Sequence, residues 1–222
     1  MDGTIRSDPF AGACQGCAVR APRTASDQVF GFQVHKSRIA PALWLALVVV
    51  TGARAASQSM LADQSEVAYV ASQLGAQVEG NFGRFDAQID LDPGRLQTSS
   101  VSFSVDTTSV NFPSTEVLRE LAKPDWFDTA RFPSAEFRSS RIRELASDRY
   151  EVSGILTIKG HAREVVVPVS LSRTGTTTFA TGALTIKRLD YGVGAGEWSD
   201  TSLVADEVQI KFKIAVDGLS SS

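Results

Sequence analysis

The chain has 222 residues, of which 43% are hydrophobic and 21% are charged. This is enough apolar material for the core of one all-β domain and is short for two. The net charge is −3, and residues 1–55 hold six Lys/Arg against three Asp/Glu, so the remainder carries −6. An acidic main domain argues against a nucleic-acid partner, because phosphate backbones are bound by clustered Lys and Arg.

Cysteine is limited to Cys14 and Cys17, a C-x-x-C pair near the start of the chain. A redox or zinc role for this spacing needs a βαβ context or a second pair of ligands, and the sequence has neither. The rest of the chain has no cysteine, so no disulfide can hold it together. We expect no metal and no cofactor.

An apolar run of twelve residues spans 39–50, with Lys36 and Arg38 before it and the A-x-A pattern of residues 53–55 after it. Basic, apolar and small-residue regions in this order are typical of a secretory signal peptide, which we assign to residues 34–55. A retained membrane anchor is the alternative, but a membrane-spanning helix needs ~20 apolar residues. The sequence therefore predicts a periplasmic protein with no stable membrane anchor after signal cleavage.

The signal peptide begins far from the start of the chain, because 33 residues precede Val34. No methionine occurs between Met1 and Met60. We hypothesise that translation starts at Val34, through a valine codon used as an initiator. Residues 1–33 would then be a non-translated or disordered extension, and the folded domain is expected over residues 56–222.

From Glu66 onward the hydrophobic period is two, which indicates β-strands. Gly80 and Gly83 fall inside the second apolar stretch and predict a bend or a bulge there. The third stretch alternates apolar residues with serines and an aspartate, the pattern of a strand with one buried face. The first three strands are predicted over residues 66–72, 77–92 and 101–105.

One helical signal occurs, at residues 114–121, where a Ser-Thr pair can cap the first turn. Residues 123–137 follow, hereafter called the aromatic segment, with Trp126, Phe127 and Phe132 but neither helical nor strand periodicity. A loop this apolar has to fold back onto the strands. We expect Trp126 and Phe127 to cover one end of the domain, either as a permanent plug or as a gate.

Five further strands follow the helix, joined by short turns. They are predicted over residues 135–142, 150–158, 165–171, 180–186 and 208–216. The alternation predicts an all-β, eight-stranded antiparallel barrel with one short helix, because a long single sheet tends to curl and closure removes its edges. A sandwich of two sheets fits the same periodicity and is the alternative architecture.

Catalytic signals are few. His161 is the one histidine of the predicted domain and lies in a predicted hairpin turn, where a solvated role is more usual than a catalytic one. Asp125 and Asp128 flank Trp126 and Phe127, so a pair of acid–base carboxylates has to be considered. Asp after Pro and Asp before Thr are also ordinary turn residues, and we favour that interpretation.

Gly192, Gly194 and Gly196 give the spacing G-x-G-x-G, which is reminiscent of phosphate-binding loops. No strand–loop–helix context follows them, so a phosphate cradle is weakly supported. We predict a mobile or tightly turned loop between the last two strands.

Arg188 shares the parity of Ile186, which we place inside the barrel, and an inward arginine needs a partner. Contact with the polar head group of a ligand is one option. The option that we favour is an ion pair with Asp190, Glu197 or Asp200.

Several motifs recur in order along the domain. They are Glu79-Gly80-Asn81-Phe82 with Phe85, Asp92-Pro93, the VDTTSV of residues 105–110, the DWFD of 125–128, the FPSAEF of 132–137, the GILTIKG of 154–160, the KRLDYGVG of 187–194 and the GEW of 196–198. In this order and spacing they resemble the YceI-like family, polyisoprenoid-binding, lipocalin-like proteins of bacteria. The resemblance covers residues 66–216.

The resemblance implies a lipocalin-like barrel with a long apolar interior. It implies binding of an isoprenoid-chain lipid, a quinone or a polyprenyl compound, for storage or transport in the periplasm, and no established enzymatic activity. Two departures bear on local head-group contacts. Residues 114–121 lack an expected arginine-aspartate pair, and His161 stands where threonine is common.

We expect inward apolar side chains to line the barrel, with aromatic residues at one end and Arg188 near a head group. The predicted ligand-binding residues are Phe82, Phe85, Phe103, Trp126, Phe127, Phe137, Leu156, Val167, Ile186, Arg188, Trp198 and Phe212. The alternatives are a lipid-acting hydrolase or isomerase that uses Asp125 or Asp128, and a protein-interaction barrel with a filled core. A homodimer is compatible with the sequence.

Overall fold

A computed structural model describes residues 58–219, which form one antiparallel sheet of eleven strands and one α-helix. The strands are β1 (Ser59–Met60), β2 (Glu66–Gln73), β3 (Ala76–Phe82), β4 (Phe85–Asp90), β5 (Ser100–Asp106), β6 (Val110–Asn111), β7 (Ser134–Ala146), β8 (Arg149–Ile158), β9 (His161–Thr174), β10 (Thr177–Lys187) and β11 (Glu207–Asp217), and the helix is α1 (Thr115–Leu121). The predicted signal peptide, the N-terminal extension and the cysteine pair lie outside the described residues.

The sheet closes on itself through one bent strand. Its order is β4-β5-β7-β8-β9-β10-β11-β2-β3-β6. β3 pairs with β2 and β4 pairs with β5, and only Gly83 and Arg84 separate β3 from β4. These two strands therefore act as one that joins both edges of the sheet. When β3 and β4 are counted as one strand, and the two-residue strands β1 and β6 are left aside, residues 58–219 contain eight strands.

The predicted all-β, eight-stranded antiparallel barrel is thus confirmed, whereas the sandwich alternative is wrong because all the strands belong to one sheet. The bend lies at Gly83, whose N–H donates to the Ser109 carbonyl at 2.9 Å, and not at Gly80. Between β8 and β9, Lys159 and Gly160 make the turn with φ of 50° and 76°. His161 is therefore the first residue of β9 and not part of the turn.

Several strands are longer than their alternation predicted. β7 runs to Ala146 and β9 runs from His161 to Thr174. Their polar ends carry no hydrophobic signal, but they pair across the sheet, for example through Arg143 and Glu151 at 2.6 Å. Charged cross-strand pairs extend these strands, and the alternation of hydrophobic residues in the sequence does not reveal such extensions.

Helix α1 begins as predicted. The Ser114 hydroxyl accepts a hydrogen bond from the Val117 N–H at 3.4 Å, which satisfies one of the free donors of the first turn. At the other end, the Leu121 carbonyl accepts a hydrogen bond from the Phe127 N–H at 3.0 Å. The helix therefore positions the start of the aromatic segment.

Aromatic rings lie close to glycines of the barrel wall. At Gly182, a Cβ would collide with the Phe212 ring from β11 and with the Pro168 carbonyl from β9. The same relation holds for Tyr69 over Gly80 and Phe137 over Gly154. Because the rings lie against backbone instead of reaching across the barrel, space remains along the axis.

The interior contains two groups of buried side chains. The lower half is the end with the β7–β8 and β9–β10 turns, and its core includes Val67, Ile142, Tyr150, Ile214 and Val216. The upper half is the end with the β8–β9 turn and the β10–β11 connection. Its core is made of Trp126, Leu156, Ile158, Tyr191, Val193 and Val204.

Candidate functional site

A cavity of about 390 Å³ runs through the barrel interior. Its wall extends from Leu219 and Tyr150 in the lower half to Trp198 and Glu120 in the upper half. Ligand sites in proteins are typically about 300–1,000 Å³ and mostly apolar. The size and the wall of this cavity both match such a site.

Eleven of the twelve predicted ligand-binding residues line this cavity. Phe85 is the exception, since its ring stacks on Phe103 with the centroids 5.9 Å apart and does not itself line the cavity. Alternation along strands located the wall well because inward and outward positions follow a strict period of two. It missed the contribution of α1, which adds Val117 and Leu121.

The aromatic segment closes the upper half from inside. Trp126 and Phe127 line the cavity, and Phe127 meets Phe82 edge-on at 6.5 Å between centroids. Thr107, which is buried at the end of β5, donates from its hydroxyl to the Phe132 carbonyl at 3.0 Å and so ties the segment to the sheet. The Phe132 ring itself lies against Gly160, away from the cavity.

Trp126 and Trp198 differ in their hydrogen bonding. Their rings are 5.5 Å apart, and the Trp198 Nε1–H donates to Glu120 Oε1 at 3.3 Å. Trp126 is only 9% exposed, yet its Nε1–H has no partner among the described residues. The benzo edge of Trp126 faces Gly194, so the N–H points away from that loop. A buried donor without an acceptor is uncommon, because it loses its bonds to water on burial.

Arg188 is 3% exposed and all five of its N–H donors are used by backbone carbonyls. The guanidinium distances are 3.0 Å to Ala205, 3.0 Å to Val193, 2.7 Å to Gly194, 2.7 Å to Trp198 and 2.7 Å to Val204. Burial lowers the pKa of Arg188, and the nearby Asp206 carboxylate opposes this effect. An arginine stays protonated under such conditions, so the carbonyl dipoles compensate a full charge.

The expected ion pair of Arg188 is therefore wrong, since none of the ion pairs among residues 58–219 includes this side chain. Its predicted contact with a head group also lacks a free donor, although Arg188 does line the cavity. Gly194 explains the G-x-G-x-G spacing. It has a φ of 72°, and a Cβ there would collide with the guanidinium. The glycine loop is tightly turned, as predicted, and it encloses the Arg188 guanidinium instead of forming a phosphate-binding site.

Asp125 and Asp128 lie outside the cavity wall. Asp128 has a φ of 48°, and its carbonyl accepts hydrogen bonds from the N–H groups of Arg131 and Phe132, both at 2.9 Å. This is the turn role that we favoured from sequence. Burial lowers the pKa of the neighbouring Lys159, while the charges of Asp128 and Asp125 raise it.

Part of the cavity wall lies next to the β2–β3 turn. Among the lining residues, Gln73 is the one that is exposed. Gln73 forms a bridge with Val204, and the Leu74 N–H donates to the Leu203 carbonyl at 2.9 Å. The wall near Gln73 is thus shared by the end of β2 and the β10–β11 connection.

The described part of the chain offers no metal site and no membrane-spanning helix. In residues 58–219, no three His, Cys, Asp or Glu side chains come together as metal ligands would. Over the same residues, the structure has no helix with the length and hydrophobicity needed to cross a bilayer.

Comparisons with known proteins agree with the motifs. The YceI-like domain family matches residues 59–216. A crystal structure of Burkholderia cenocepacia BcnA is 40% identical, with a TM-score of 0.68, over 71% of this chain and 99% of that protein. A UPF0312 protein of Vibrio cholerae is 26% identical over 60% of this chain and 75% of its own length.

A more distant structure shares the fold. A polyisoprenoid binding domain from Saccharophagus degradans, implicated in plant cell wall breakdown, is 18% identical with a TM-score of 0.58. The match covers 72% of this chain and 98% of that domain. At this identity the likeness supports the architecture alone.

Proposed function

The chain belongs to the YceI-like domain family, as its motifs predicted, and we propose that it holds an isoprenoid-chain lipid, a quinone or a polyprenyl compound, inside its barrel for storage or transport. The observation that carries this proposal is the cavity of about 390 Å³ with an almost continuous apolar wall. The distant neighbour described as a polyisoprenoid binding domain supports the same class of ligand.

The driving force for such a ligand is the removal of its chain from water. Each buried methylene contributes about 0.8 kcal/mol, so several prenyl units supply far more gross free energy than tight binding requires. An apolar cavity distinguishes lipids by the length and shape of their tails more than by their head groups. Selectivity is therefore expected to be sharp for chain length.

The direct test is to purify the protein from its native host, extract it with organic solvent and identify the extract by mass spectrometry. We expect an isoprenoid lipid in stoichiometric amount. Recovery of no such lipid from correctly folded protein would contradict the proposal. Trp126 fluorescence during titration with a polyprenol adds a second readout, because this side chain lines the cavity and should respond if it gates the lipid.

We also propose binding and not catalysis. The two candidate carboxylates, Asp125 and Asp128, do not line the cavity where a lipid would lie. Replacing both by Asn should leave lipid loading unchanged. Reproducible turnover of the bound lipid by the wild-type protein, lost in this double variant, would establish the hydrolase or isomerase alternative instead.

The proposed location is the periplasm, reached through the signal peptide at residues 34–55. Amino-terminal sequencing of the unprocessed precursor tests the start at Val34, and a peptide from residues 1–33 in that precursor would refute it. Fractionation of native cells tests the location itself. Sedimentation of the mature protein tests whether it forms the homodimer that is compatible with the sequence.

A further inference from the structure

We propose that the Trp126 indole N–H is the donor that holds the ligand's polar end, and that this end is an uncharged acceptor such as a carbonyl, ether or hydroxyl oxygen. This inference rests on the proposed lipid binding and adds the chemistry of the head group. Its starting point is that Trp126 lines the cavity, is 9% exposed, and has an Nε1–H without a partner in the described residues. An acceptor on the ligand would satisfy this donor.

The charges around Trp126 favour an uncharged end. Arg188 is the one Lys or Arg on the cavity wall, and backbone carbonyls already use all of its donors. Glu120 also lies on the wall, paired with Lys123 at 2.5 Å. The hydrogen bond from Lys123 lowers the pKa of Glu120, so this carboxylate is ionised at neutral pH.

A phosphate group near Trp126 would thus meet a carboxylate and no free cation. A phosphate that left water for this apolar wall would lose its hydration without gaining a free cation to replace it. A neutral oxygen avoids this loss and still accepts the indole hydrogen bond. The lower half of the wall then takes the prenyl chain.

The test uses three probes that share the same geranylgeranyl tail. They are geranylgeranyl methyl ether, its hydrocarbon analogue with CH₂ in place of oxygen, and geranylgeranyl phosphate. The wild type should bind the ether more tightly than the hydrocarbon and the phosphate least tightly. Trp126→Phe should reduce the affinity ratio of ether to hydrocarbon about fivefold, as expected for one hydrogen bond. The ratio cancels packing changes that affect both probes equally.

Trp198→Phe is the matched control, because its N–H is already used by Glu120. Because Trp198 also lines the cavity, this substitution should change the affinities for ether and hydrocarbon together and leave their ratio at the wild-type value. An unchanged ratio in Trp126→Phe, no preference for the ether in the wild type, or phosphate binding as tight as ether binding would each overturn the inference. If the wild type binds none of the three probes, the proposed function itself fails.

A second inference comes from the surface beside Gln73. Leu74 is 72% exposed and has a φ of 51°, and Leu203 is 40% exposed. We propose that these two residues, hereafter the leucine pair, insert into a lipid bilayer when the ligand is exchanged. This second inference also rests on the proposed lipid binding, but the residues that carry it are exposed and do not line the cavity.

The turn chemistry argues that Leu74 is there for a reason other than folding. Leu74 and Gly75 both have positive φ, 51° and 80°, so they form a two-residue hairpin turn of the kind that favours Asn, Asp or Gly. A leucine there combines an unfavourable backbone conformation with an exposed apolar side chain. The hydrogen bond to Leu203 holds the leucine pair together next to the exposed end of the cavity wall.

The occupant that fits is the acyl region of a bilayer surface. An isoprenoid chain cannot cross water without loss of its hydrophobic stabilisation, so exchange is easiest where the cavity touches a membrane. The loop carries Asp200 and no Lys or Arg from residue 199 to residue 205. Insertion should therefore depend on apolar contact with neutral lipid and not on attraction to anionic lipid.

Leu74→Asn tests the leucine pair without damage to the fold, since Asn is well suited to this turn position. Loaded protein is mixed with neutral phosphatidylcholine vesicles, and transfer of the ether probe is followed over time. For the wild type, the rate should increase with vesicle concentration. Leu74→Asn should lower the second-order rate about tenfold, with unchanged loading and a melting temperature no lower than that of the wild type.

Leu145→Asn is the control, because this leucine is 55% exposed in the lower half, at the end of β7. Its transfer rate should equal that of the wild type. A rate independent of vesicle concentration, or a Leu74→Asn rate equal to that of the wild type, would overturn the inference. Protein that never loads the probe would contradict the proposed function and not the role of the leucine pair alone.

Discussion

The two halves of the barrel interior differ in what they can bind. The lower half is mostly apolar, with Val216 in its core at 0% exposed and Tyr150 as its one buried residue with a polar group among the described residues of that core. The upper half includes Trp126, Arg188 and Glu120 among its lining residues. Apart from Tyr150, the hydrogen-bonding groups named here lie at the upper end, which gives an elongated amphipathic ligand a preferred direction.

The halves also differ in what stabilises them. The lower half depends on burial of apolar area, which contributes roughly 25 cal/mol for each Å² removed from water. The upper half depends in addition on five hydrogen bonds from one charged side chain to the loop around it. Mutations can separate these two kinds of stabilisation.

The largest effect is expected from Arg188→Met. The substitution leaves five backbone carbonyls without their donor in a buried place, and we expect it to destabilise the protein by about 4 kcal/mol. Urea unfolding of the two proteins measures the difference. Arg138→Met is the control, since the Arg138 side chain is 76% exposed and should contribute little. A cost below that of the control would contradict the role of the carbonyl contacts.

Ile214→Ala probes the lower half. Ile214 is 4% exposed and lines the cavity, so its truncation removes buried apolar area and enlarges an existing space. We expect a loss of about 3 kcal/mol in the free energy of unfolding. Because Ile214 touches no polar group that a ligand needs, the ether-to-hydrocarbon affinity ratio should remain that of the wild type. A changed ratio would show that the two halves are not independent.

Phe103→Trp tests whether the cavity space beside Phe103 is needed by the ligand, with little effect on the stability of the protein. Phe103 lines the cavity, and a larger ring there should lower the amount of bound lipid severalfold, whereas the free energy of unfolding should change by only about 1–2 kcal/mol. Organic extraction and mass spectrometry give the loading. Phe179→Trp introduces the same change on the outer parity of β10 and should leave loading intact. Equal loading in both variants would place Phe103 outside the ligand's path.

The smallest effect is expected outside both halves, at Asp106. Its carboxylate accepts hydrogen bonds from Thr108 and Arg84, with the Thr108 N–H at 2.8 Å. These bonds, that of the Thr108 side chain foremost, hold the pKa of Asp106 below its ordinary value of 3.8. Asp106→Asn should cost about 1 kcal/mol at neutral pH, as for other turn-capping residues.

The pH dependence of this contribution has a definite sign. Because the folded-state pKa is the lower one, the stabilisation is present above the unfolded pKa and disappears as the pH falls through the folded one. Urea unfolding between pH 6 and about 3 should therefore show the variant and the wild type converging as acid is added. A difference that grows on acidification would contradict this account.

The sequence predicted the barrel wall better than the polar features at its upper end. Side-chain parity is visible in a sequence, so Phe103, Leu156 and Phe212 could be placed on the inner face from alternation alone. The cap of α1 was likewise visible, since Ser114 is a preferred capping residue. Strand ends such as those of β7 and β9 were missed, because charged cross-strand pairs interrupt the apolar period.

The surroundings of Arg188 could not be predicted in the same way. Its partners are backbone carbonyls, and every residue has one, so no residue type marks them. What brings them together is the path of residues 192–205, with positive φ at Gly192, Gly194 and Gly196. An arginine followed closely by spaced glycines is the one sequence signal that could have suggested it. The acidic residues nearby in the sequence, Asp190, Glu197 and Asp200, form no ion pair with Arg188 because the carbonyls occupy all of its donors.

The rings that rest on glycines have a consequence for the evolution of this barrel. Phe212 lies against Gly182, and Phe137 lies against Gly154. The absence of a Cβ at each glycine therefore sets how far the ring reaches from the wall toward the barrel axis. A Cβ at either position would collide with the ring and also with a backbone carbonyl, that of Pro168 at Gly182 and that of Arg138 at Gly154, so both the ring and the neighbouring strand would have to move. The width of the barrel at these two levels therefore depends on positions where the backbone itself leaves room only for glycine, so a change in bore requires a change in the spacing of the strands.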